Sequence, residues 1–159
     1  MAGLDLSQLK AEIVRPTLKA IGLWSLAAEN LLTGTALVES GGVYLRQLGS
    51  GPALGLWQME PFTHDDCWQN FLKFPAHHSL ADAILAMQSH DQTPSGQLVS
   101  NLRYACAMAR VKYLRAPAPL PSAQDAIDLS SYHKRWYNTQ GGAADEVANI
   151  PHFADAIRA

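Results

Sequence analysis

The sequence predicts a single, mainly α-helical domain over residues 1–159, with at most a small β-hairpin. Apolar residues recur at helical spacing in several stretches, and Ser, Thr or Asp residues at cap-like positions precede most of them. Only residues 43–59 break into short apolar pieces separated by Gly and Pro, which is typical of a loop with a small hairpin. A chain of 159 residues is also long enough to bury a core of its own.

The first two helices follow from proline, glycine and capping signals. The apolar residues within 6–14 predict a helix that ends at Arg15-Pro16, because the residue before a proline avoids the α conformation. Ser25 is a typical N-cap, and the stretch after it ends at Gly41-Gly42. This second stretch is apolar on most of its sides, so we expect a buried central helix that ends at Glu39.

The same signals predict the remaining helices. Helix starts are indicated by Thr63 with Asp66 and by Ser79 with Asp82. One long helix is expected over residues 96–114, and another from Ser122 with Asp125 through Trp136. Short helical pieces are expected around Val147 and Phe153. The Pro-rich residues 116–121 are expected to form a stiff, extended connector.

Charge and composition exclude several classes of function. The 12 Lys and Arg residues are interspersed with 14 Asp and Glu residues, so no basic face is available for nucleic acid. No apolar run reaches the length of a membrane span, and residues 1–15 do not resemble a signal peptide. We therefore expect a protein with neither nucleic-acid nor membrane partners.

Cysteine and histidine placement argues against metal or thiol chemistry. Cys67 and Cys106 are too few for a disulfide framework, and two buried free thiols are favoured over a single disulfide. Acidic neighbours of Cys67 argue against a nucleophilic thiol. The histidines, His133 among them, are scattered without the spacing of a zinc site, so no metal and no cofactor are expected.

Three segments carry residue types suited to chemistry on sugars. Glu39 follows an apolar helix, where burial favours the protonated carboxyl of a general acid; the alternative is an ordinary exposed Glu at a helix end. The Gly-Leu-Trp-Gln-Met run at residues 55–59 offers an aromatic face and an amide; the alternative is a loop that packs its apolar residues inward. Residues 136–139, Trp-Tyr-Asn-Thr, are either a third part of a site or an ordinary aromatic helix end.

In this order the three segments resemble motifs of the lysozyme-like lytic transglycosylase superfamily. Glu39-Ser40 is similar to its Glu-Ser at a helix end, and residues 55–58 are similar to its Gly-Leu-x-Gln. Asn101 with Tyr113-Leu114 resembles its Asn-containing helix that ends in Tyr-Leu. Residues 136–142 resemble its Ala-Tyr-Asn-Ala-Gly, although Trp replaces the first Ala and Thr139-Gln140 precedes the glycines. The resemblance covers about residues 25–142 and is strongest to bacteriophage members.

The resemblance implies a glycosidase that cleaves peptidoglycan at the β-1,4 bond between N-acetylmuramic acid and N-acetylglucosamine. Glu39 would act as general acid and then as base, with Tyr137 orienting it. The implied substrate-binding residues are Ser40, Leu56, Trp57, Gln58, Met59, Tyr104 and Asn138. For Trp57, packing under a sugar and packing in the core both stay open. The implied partners are glycan strands and other phage virion proteins, and the implied location is the virion or the host cytoplasm before release to the periplasm.

Two alternatives stay open beside this interpretation. A single catalytic Glu favours an anhydro-sugar product, whereas a hydrolytic muramidase of the two-carboxylate type needs a second acid. Glu60 is the candidate for that acid, although Pro61 behind it indicates a role at a helix start instead. The competing classes are a non-enzymatic phage structural protein of the same fold and a module that only binds the cell wall.

Overall fold

A computed structural model describes residues 3–138 and 145–159. Within these ranges the protein is mainly helical, which confirms the predicted fold class. The α-helices are Leu6–Gln8 (α1), Arg15–Ala20 (α2), Leu26–Ser40 (α3), Pro61–Cys67 (α4), His78–Leu85 (α5), Gln97–Ser100 (α6), Leu102–Leu114 (α7), Ala126–Trp136 (α8) and Glu146–Arg158 (α9). None of the helices in the described ranges is long and apolar enough to cross a membrane.

The first helix does not end at Arg15-Pro16, so that prediction is wrong. A π-helical segment, Leu9–Val14, joins α1 to α2, and the helix continues to Ala20. The amide of Arg15 bonds the carbonyl of Lys10, five residues back. This wider turn leaves room for the Pro16 ring, which would otherwise clash with a carbonyl of the preceding turn.

The central helix α3 agrees with the prediction at both ends. The hydroxyl of Ser25 accepts a hydrogen bond from the amide of Ala28 at 3.0 Å, as an N-cap does. Gly41 ends the helix with a φ of 63°, a left-handed conformation that favours glycine. Ten residues of α3 are buried, and polar as well as apolar residues are among them. The helix therefore runs through the interior, as expected.

Four predicted helices after residue 60 differ in their bounds from the sequence-based expectation. Residues 96–114 are not one helix, because Asn101 leaves the helical conformation and its side chain caps α7 by accepting from the amide of Tyr104. Asp125, not Ser122, is the N-cap of α8. Residues 146–158 form one helix instead of two pieces; Pro151 lies inside it. Helix α4 begins at Pro61, ahead of Thr63, because proline suits the first helical position.

The segment between α3 and α4 contains the expected small β element. It consists of two isolated antiparallel bridges, Arg46 with Leu54 and Leu54 with Met59. The amide of Leu54 donates to the carbonyl of Met59 at 3.0 Å, and the amide of Met59 donates back at 3.1 Å. These bonds fold the segment back on itself beside the end of α3.

Helix α9 closes the core by packing against α3 and α8. Its buried Phe153 lies directly over Gly34 of α3, where an added Cβ would come within 2.3 Å of the ring. The glycine is needed here for close approach of the two helices. Cys67 and Cys106 are both buried and free, as the cysteine count predicted.

Candidate functional site

A cavity of about 400 Å³ lies at the C-terminal end of α3. It is lined by Val38, Glu39, Ser40, Gly41, Val43, Tyr44, Gln47, Leu48 and Gln58. The side chain of Glu39 is 15% exposed, so its carboxylate is mostly covered by protein yet still reaches the cavity. This is the position that the sequence predicted for it, at the end of a buried helix.

Ser40 holds the turn that follows Glu39. Its hydroxyl donates to the carbonyl of Ala36 at 3.0 Å and accepts from the amide of Gly42 at 3.3 Å. Ser40 is buried, so these bonds form away from competing water. Ser40 therefore lines the cavity, and its hydroxyl bonds the backbone on both sides of Glu39. Its role in substrate binding stays a prediction.

His133 of α8 contacts Glu39 directly. Its Nε2 lies 2.8 Å from Oε1 of Glu39, and its side chain is fully buried. In the sequence His133 is one of a scattered set of histidines, and none of the predicted site segments includes it. The available signal was its spacing, because His133 and Tyr137 are four residues apart and so lie on one face around the end of α8.

Tyr137 holds the loop at residues 55–59, here called the site loop, whereas the resemblance implied that Tyr137 orients Glu39. Its hydroxyl donates to the carbonyl of Trp57 at 2.7 Å, and the residue is only 3% exposed. Burial raises the pKa of Tyr137 well above its usual range, and the nearby charge of Glu39 adds to that shift. The hydrogen bond with Glu39 is formed by His133 instead.

Lys112 of α7 fixes Tyr137 from the other side. Its ammonium donates to the carbonyl of Tyr137 at 2.6 Å and lies 4.1 Å from the centre of the Tyr137 ring. Burial lowers the pKa of Lys112, and the negative charge of Glu39 partly opposes that shift. A cation therefore lies near Glu39 and satisfies a backbone carbonyl at the end of α8.

The loop at residues 55–59 is built around a tight turn. Gly55 has a φ of 76°, and an added Cβ there would lie 1.9 Å from the carbonyl oxygen of Leu98. Gln58 is the one non-glycine residue in the described ranges with a positive φ, 45°. Its side-chain amide donates to the carbonyl of Gly55 at 2.8 Å, which closes the turn and leaves Gln58 in the cavity wall.

The apolar side chains of this loop point into the core. Trp57 is 1% exposed, and its Nε1 donates to the carbonyl of Leu32 at 2.9 Å. Of the two alternatives for Trp57, packing under a sugar and packing in the core, the structure shows packing in the core. Leu56 and Met59 are buried as well. Leu56 also lines a second cavity of about 480 Å³, which shares Val43 with the cavity at Glu39.

Tyr104 belongs to a different cluster from the one around Glu39. It is fully buried, and its hydroxyl lies 2.7 Å from Nε2 of His64 while accepting from the side chains of Trp68 and Gln88. Asp65 bonds the other ring nitrogen of His64 at 2.8 Å. These contacts account for the burial of Tyr104. The residue does not line the cavity at Glu39.

Asn138 and Glu60 also lie outside the lining of this cavity. Asn138 follows Tyr137, and its backbone amide donates to the carbonyl of His133 at 3.1 Å. Its Oδ1 is buried and has no hydrogen-bond partner among residues 3–138 and 145–159. Glu60 is exposed and immediately precedes α4, the role that Pro61 indicated. The rest of the predicted fourth motif, Thr139 to Gly142, lies outside the described residues.

Acidic and metal-binding groups are sparse at the site. Of the residues described around the cavity, Glu39 alone carries a carboxyl group. In residues 3–138 and 145–159, no cluster of three or more His, Cys, Asp or Glu side chains could hold a metal ion. The chemistry that this arrangement supports is proton transfer by one carboxyl group.

Comparisons with known proteins give no match. No family model matches the chain, and no curated protein and no solved structure is significantly similar to it.

Proposed function

We propose that this protein is a peptidoglycan-cleaving glycosidase of the lytic transglycosylase type. The observation that carries the proposal is Glu39, a mostly buried carboxyl group that reaches an open cavity and has no second acid beside it in the described lining. The order of the Glu-Ser, Gly-Leu-x-Gln and Tyr-Asn motifs supports the same reaction.

Glu39 would supply both proton transfers. In the first, its protonated carboxyl donates to the glycosidic oxygen as the bond from that oxygen to the muramyl anomeric carbon breaks. In the second, the Glu39 carboxylate takes the proton of the muramyl C6 hydroxyl while that oxygen bonds the anomeric carbon. Glu39 returns to its protonated form, and the product is a 1,6-anhydro sugar. The substrate's own acetamide can assist at the anomeric carbon.

The walls of the cavity suit an amino sugar. Gln58 and Gln47 bring side-chain amides to the cavity, and amides can both donate to and accept from hydroxyl and acetamide groups. The amide of Ala53 donates to Oε1 of Gln47 at 3.1 Å, which fixes the position of that side chain. Val38 and Leu48 add apolar surface for the C–H face of a ring.

The anhydro route is favoured over hydrolysis because Glu39 is the one residue with a carboxyl group in the described cavity lining. A two-carboxylate glycosidase needs its second acid roughly 5–9.5 Å from the first. The candidate for that role, Glu60, is exposed at the start of α4 and does not line the cavity at Glu39. An intramolecular attack by the substrate's own hydroxyl needs no such acid.

The test compares Glu39→Gln with Glu60→Gln on purified peptidoglycan, with released fragments analysed by mass spectrometry. We expect Glu39→Gln to lose activity by orders of magnitude and keep its melting temperature, since the amide keeps the shape and lacks the acid. Glu60→Gln should stay near wild type, and products should be lighter by one water than hydrolysed fragments. Reducing ends only, with a severe Glu60→Gln defect, would instead identify a muramidase. Binding to walls without fragment release would overturn the enzymatic proposal.

The biological setting follows from the resemblance and belongs to the same proposal. A phage enzyme of this kind acts at lysis or opens the wall at infection, with glycan strands and other virion proteins as partners. Its location would then be the virion, or the host cytoplasm before release to the periplasm. Detection of the protein in purified particles by mass spectrometry would distinguish a virion component from a lysis enzyme.

A further inference from the structure

The contact between His133 and Glu39 joins two distant parts of the chain. The residues are 94 positions apart, and Nε2 of His133 lies 2.8 Å from Oε1 of Glu39. His133 is fully buried, stacked on the Tyr137 ring and tilted against the Phe153 ring, with 5.8 Å between centroids in both cases. The imidazole is therefore held between two aromatic rings with one edge directed at the carboxyl group.

The other nitrogen of the ring determines where the proton lies. Nδ1 of His133 is inaccessible to solvent and has no hydrogen-bond partner in the described part of the chain. A proton on Nδ1 would bury an unsatisfied N–H donor, and such groups are rarer than unsatisfied acceptors. Of the two neutral tautomers, the geometry therefore favours the one with its proton on Nε2, the nitrogen that faces Glu39.

We infer that His133 is a positioning residue that donates its Nε2 proton to Oε1 of Glu39 and leaves the transferable proton on Oε2. Because Oε1 acts as an acceptor in both charge states of Glu39, the same hydrogen bond persists through both proton transfers. The carboxyl group is therefore held in one orientation from the acid step to the base step. This inference rests on the proposed function and extends it to a residue outside the matched motifs.

Three substitutions at His133 separate this role from simple packing. Gln places an amide N–H close to the position of Nε2, Asn places one close to Nδ1 only, and Leu removes both. We expect His133→Gln to keep kcat within a few-fold of wild type. His133→Asn and His133→Leu should lower kcat roughly 100-fold with KM little changed, the scale of a misplaced catalytic group. His152→Asn, on a half-buried residue of α9, is the matched control for the Asn change.

The proton position is measured independently of activity. Long-range ¹H–¹⁵N correlation on protein labelled at histidine nitrogens identifies which ring nitrogen carries the proton, with His133 assigned by its absence in His133→Gln. We expect the tautomer with its proton on Nε2. A proton on Nδ1, or a doubly protonated ring, would overturn the inference. The proton position itself is measured on the wild-type chain, and His133→Gln serves only to assign the signal.

The outcomes separate failure of this inference from failure of the proposed function. If the wild type cleaves peptidoglycan and Glu39→Gln does not, but the Gln and Asn variants of His133 are equally active, the function stands and the positioning role is wrong. Parallel loss of melting temperature and activity in both variants would likewise indicate packing alone. If the wild type releases no fragments, the proposed function fails and the positioning role fails with it, whatever the proton position.

Discussion

Glu39 lies between the core and the open cavity, and the groups around it come from three parts of the chain. Ser40 secures the turn after it, His133 contacts its carboxyl group, and Gln58 shares its cavity. Each of these side chains is itself held by a hydrogen bond to backbone or by aromatic packing. At the residue scale, positioning of the acid is divided between the helix end and α8.

Tyr137→Phe tests the anchor of the site loop. Removing the hydroxyl leaves the buried carbonyl of Trp57 without that donor, which we expect to cost about 1–3 kcal/mol of unfolding free energy. Because the loop carries Gln58, the variant should lower kcat/KM mainly by raising KM. Urea unfolding and steady-state kinetics measure the two effects.

Tyr132→Phe is the matched control for this change. Its hydroxyl donates to the carbonyl of Ala118 in the connector at 2.8 Å, so it should lose comparable stability and keep the wild-type KM. A Tyr137→Phe variant with unchanged KM, or an equal change of KM in both variants, would contradict the role of Tyr137 as the loop anchor.

At the scale of elements, the site is formed where the end of α3, the 55–59 loop and the end of α8 meet. The loop is pinned by close backbone approach at Gly55 and by the buried Trp57. The end of α8 is held by Lys112 of α7, which donates to the carbonyl of Tyr137, the C-cap residue of α8. Helix α9 supports α8 and α3 together, since Phe153 contacts His133 and covers Gly34.

Gly55→Ala tests how closely the loop must approach Leu98. The new Cβ would lie 1.9 Å from a backbone oxygen, so the loop has to move, and we expect a loss of about 3 kcal/mol or more of stability with reduced activity. Gly22→Ala is the control, because Gly22 also has a positive φ, 71°, but open space around it. It should cost only about 1–2 kcal/mol from backbone strain and leave activity unchanged. Equal losses in the two variants, measured by urea unfolding, would show that strain alone matters.

Over the whole molecule, polar bonds between distant segments accompany the apolar core. Lys10 donates to the carbonyl of Ala156 at 2.7 Å, which joins the N-terminal helix to the end of α9. The fully buried carboxylate of Glu29 accepts from Arg15 at 2.7 and 2.9 Å and from Trp24 at 2.7 Å. These bonds hold α2 against the first turn of α3, the helix that presents Glu39.

Stability at acid pH should depend on Glu29. Burial by itself raises the pKa of Glu29, but hydrogen bonds from Arg15 and Trp24 and the charge of Arg15 outweigh it, so the pKa is lowered overall. A carboxyl group with a lowered pKa in the folded state stabilises the protein fully above its unfolded pKa, near 4.3. That contribution is lost as the pH falls through the lower folded value.

Glu29→Gln should therefore reduce stability by about 1–3 kcal/mol at neutral pH and flatten the fall of stability below about pH 4.3. Urea unfolding at a series of pH values measures both effects. Asp5→Asn, at an exposed N-cap, is a control from the same part of the chain. A variant as acid-sensitive as the wild type would mean that other carboxyl groups dominate acid unfolding.

Local signals determined much of the helical framework and the place of the candidate acid. The Ser25 cap, the apolar stretch and the Gly41 stop are properties of adjacent residues, so the ends of α3 and the position of Glu39 could be predicted. The same holds for the short β element and for the two buried free cysteines. The position of Glu39 could be predicted from the signals at one helix end alone.

Tertiary packing decided what local rules could not. The helix passes Pro16 through a π-helical turn, and α9 continues past Pro151 because its buried face, with Phe153 and Ala156, packs on α3 and α8. Packing energy outweighs the lost backbone bond in such a helix, which propensity alone does not foresee. His133 reaches Glu39 across 94 residues. Such a contact depends on how three helices pack together; the spacing of His133 and Tyr137 indicates a shared face of α8 but not the contact with Glu39.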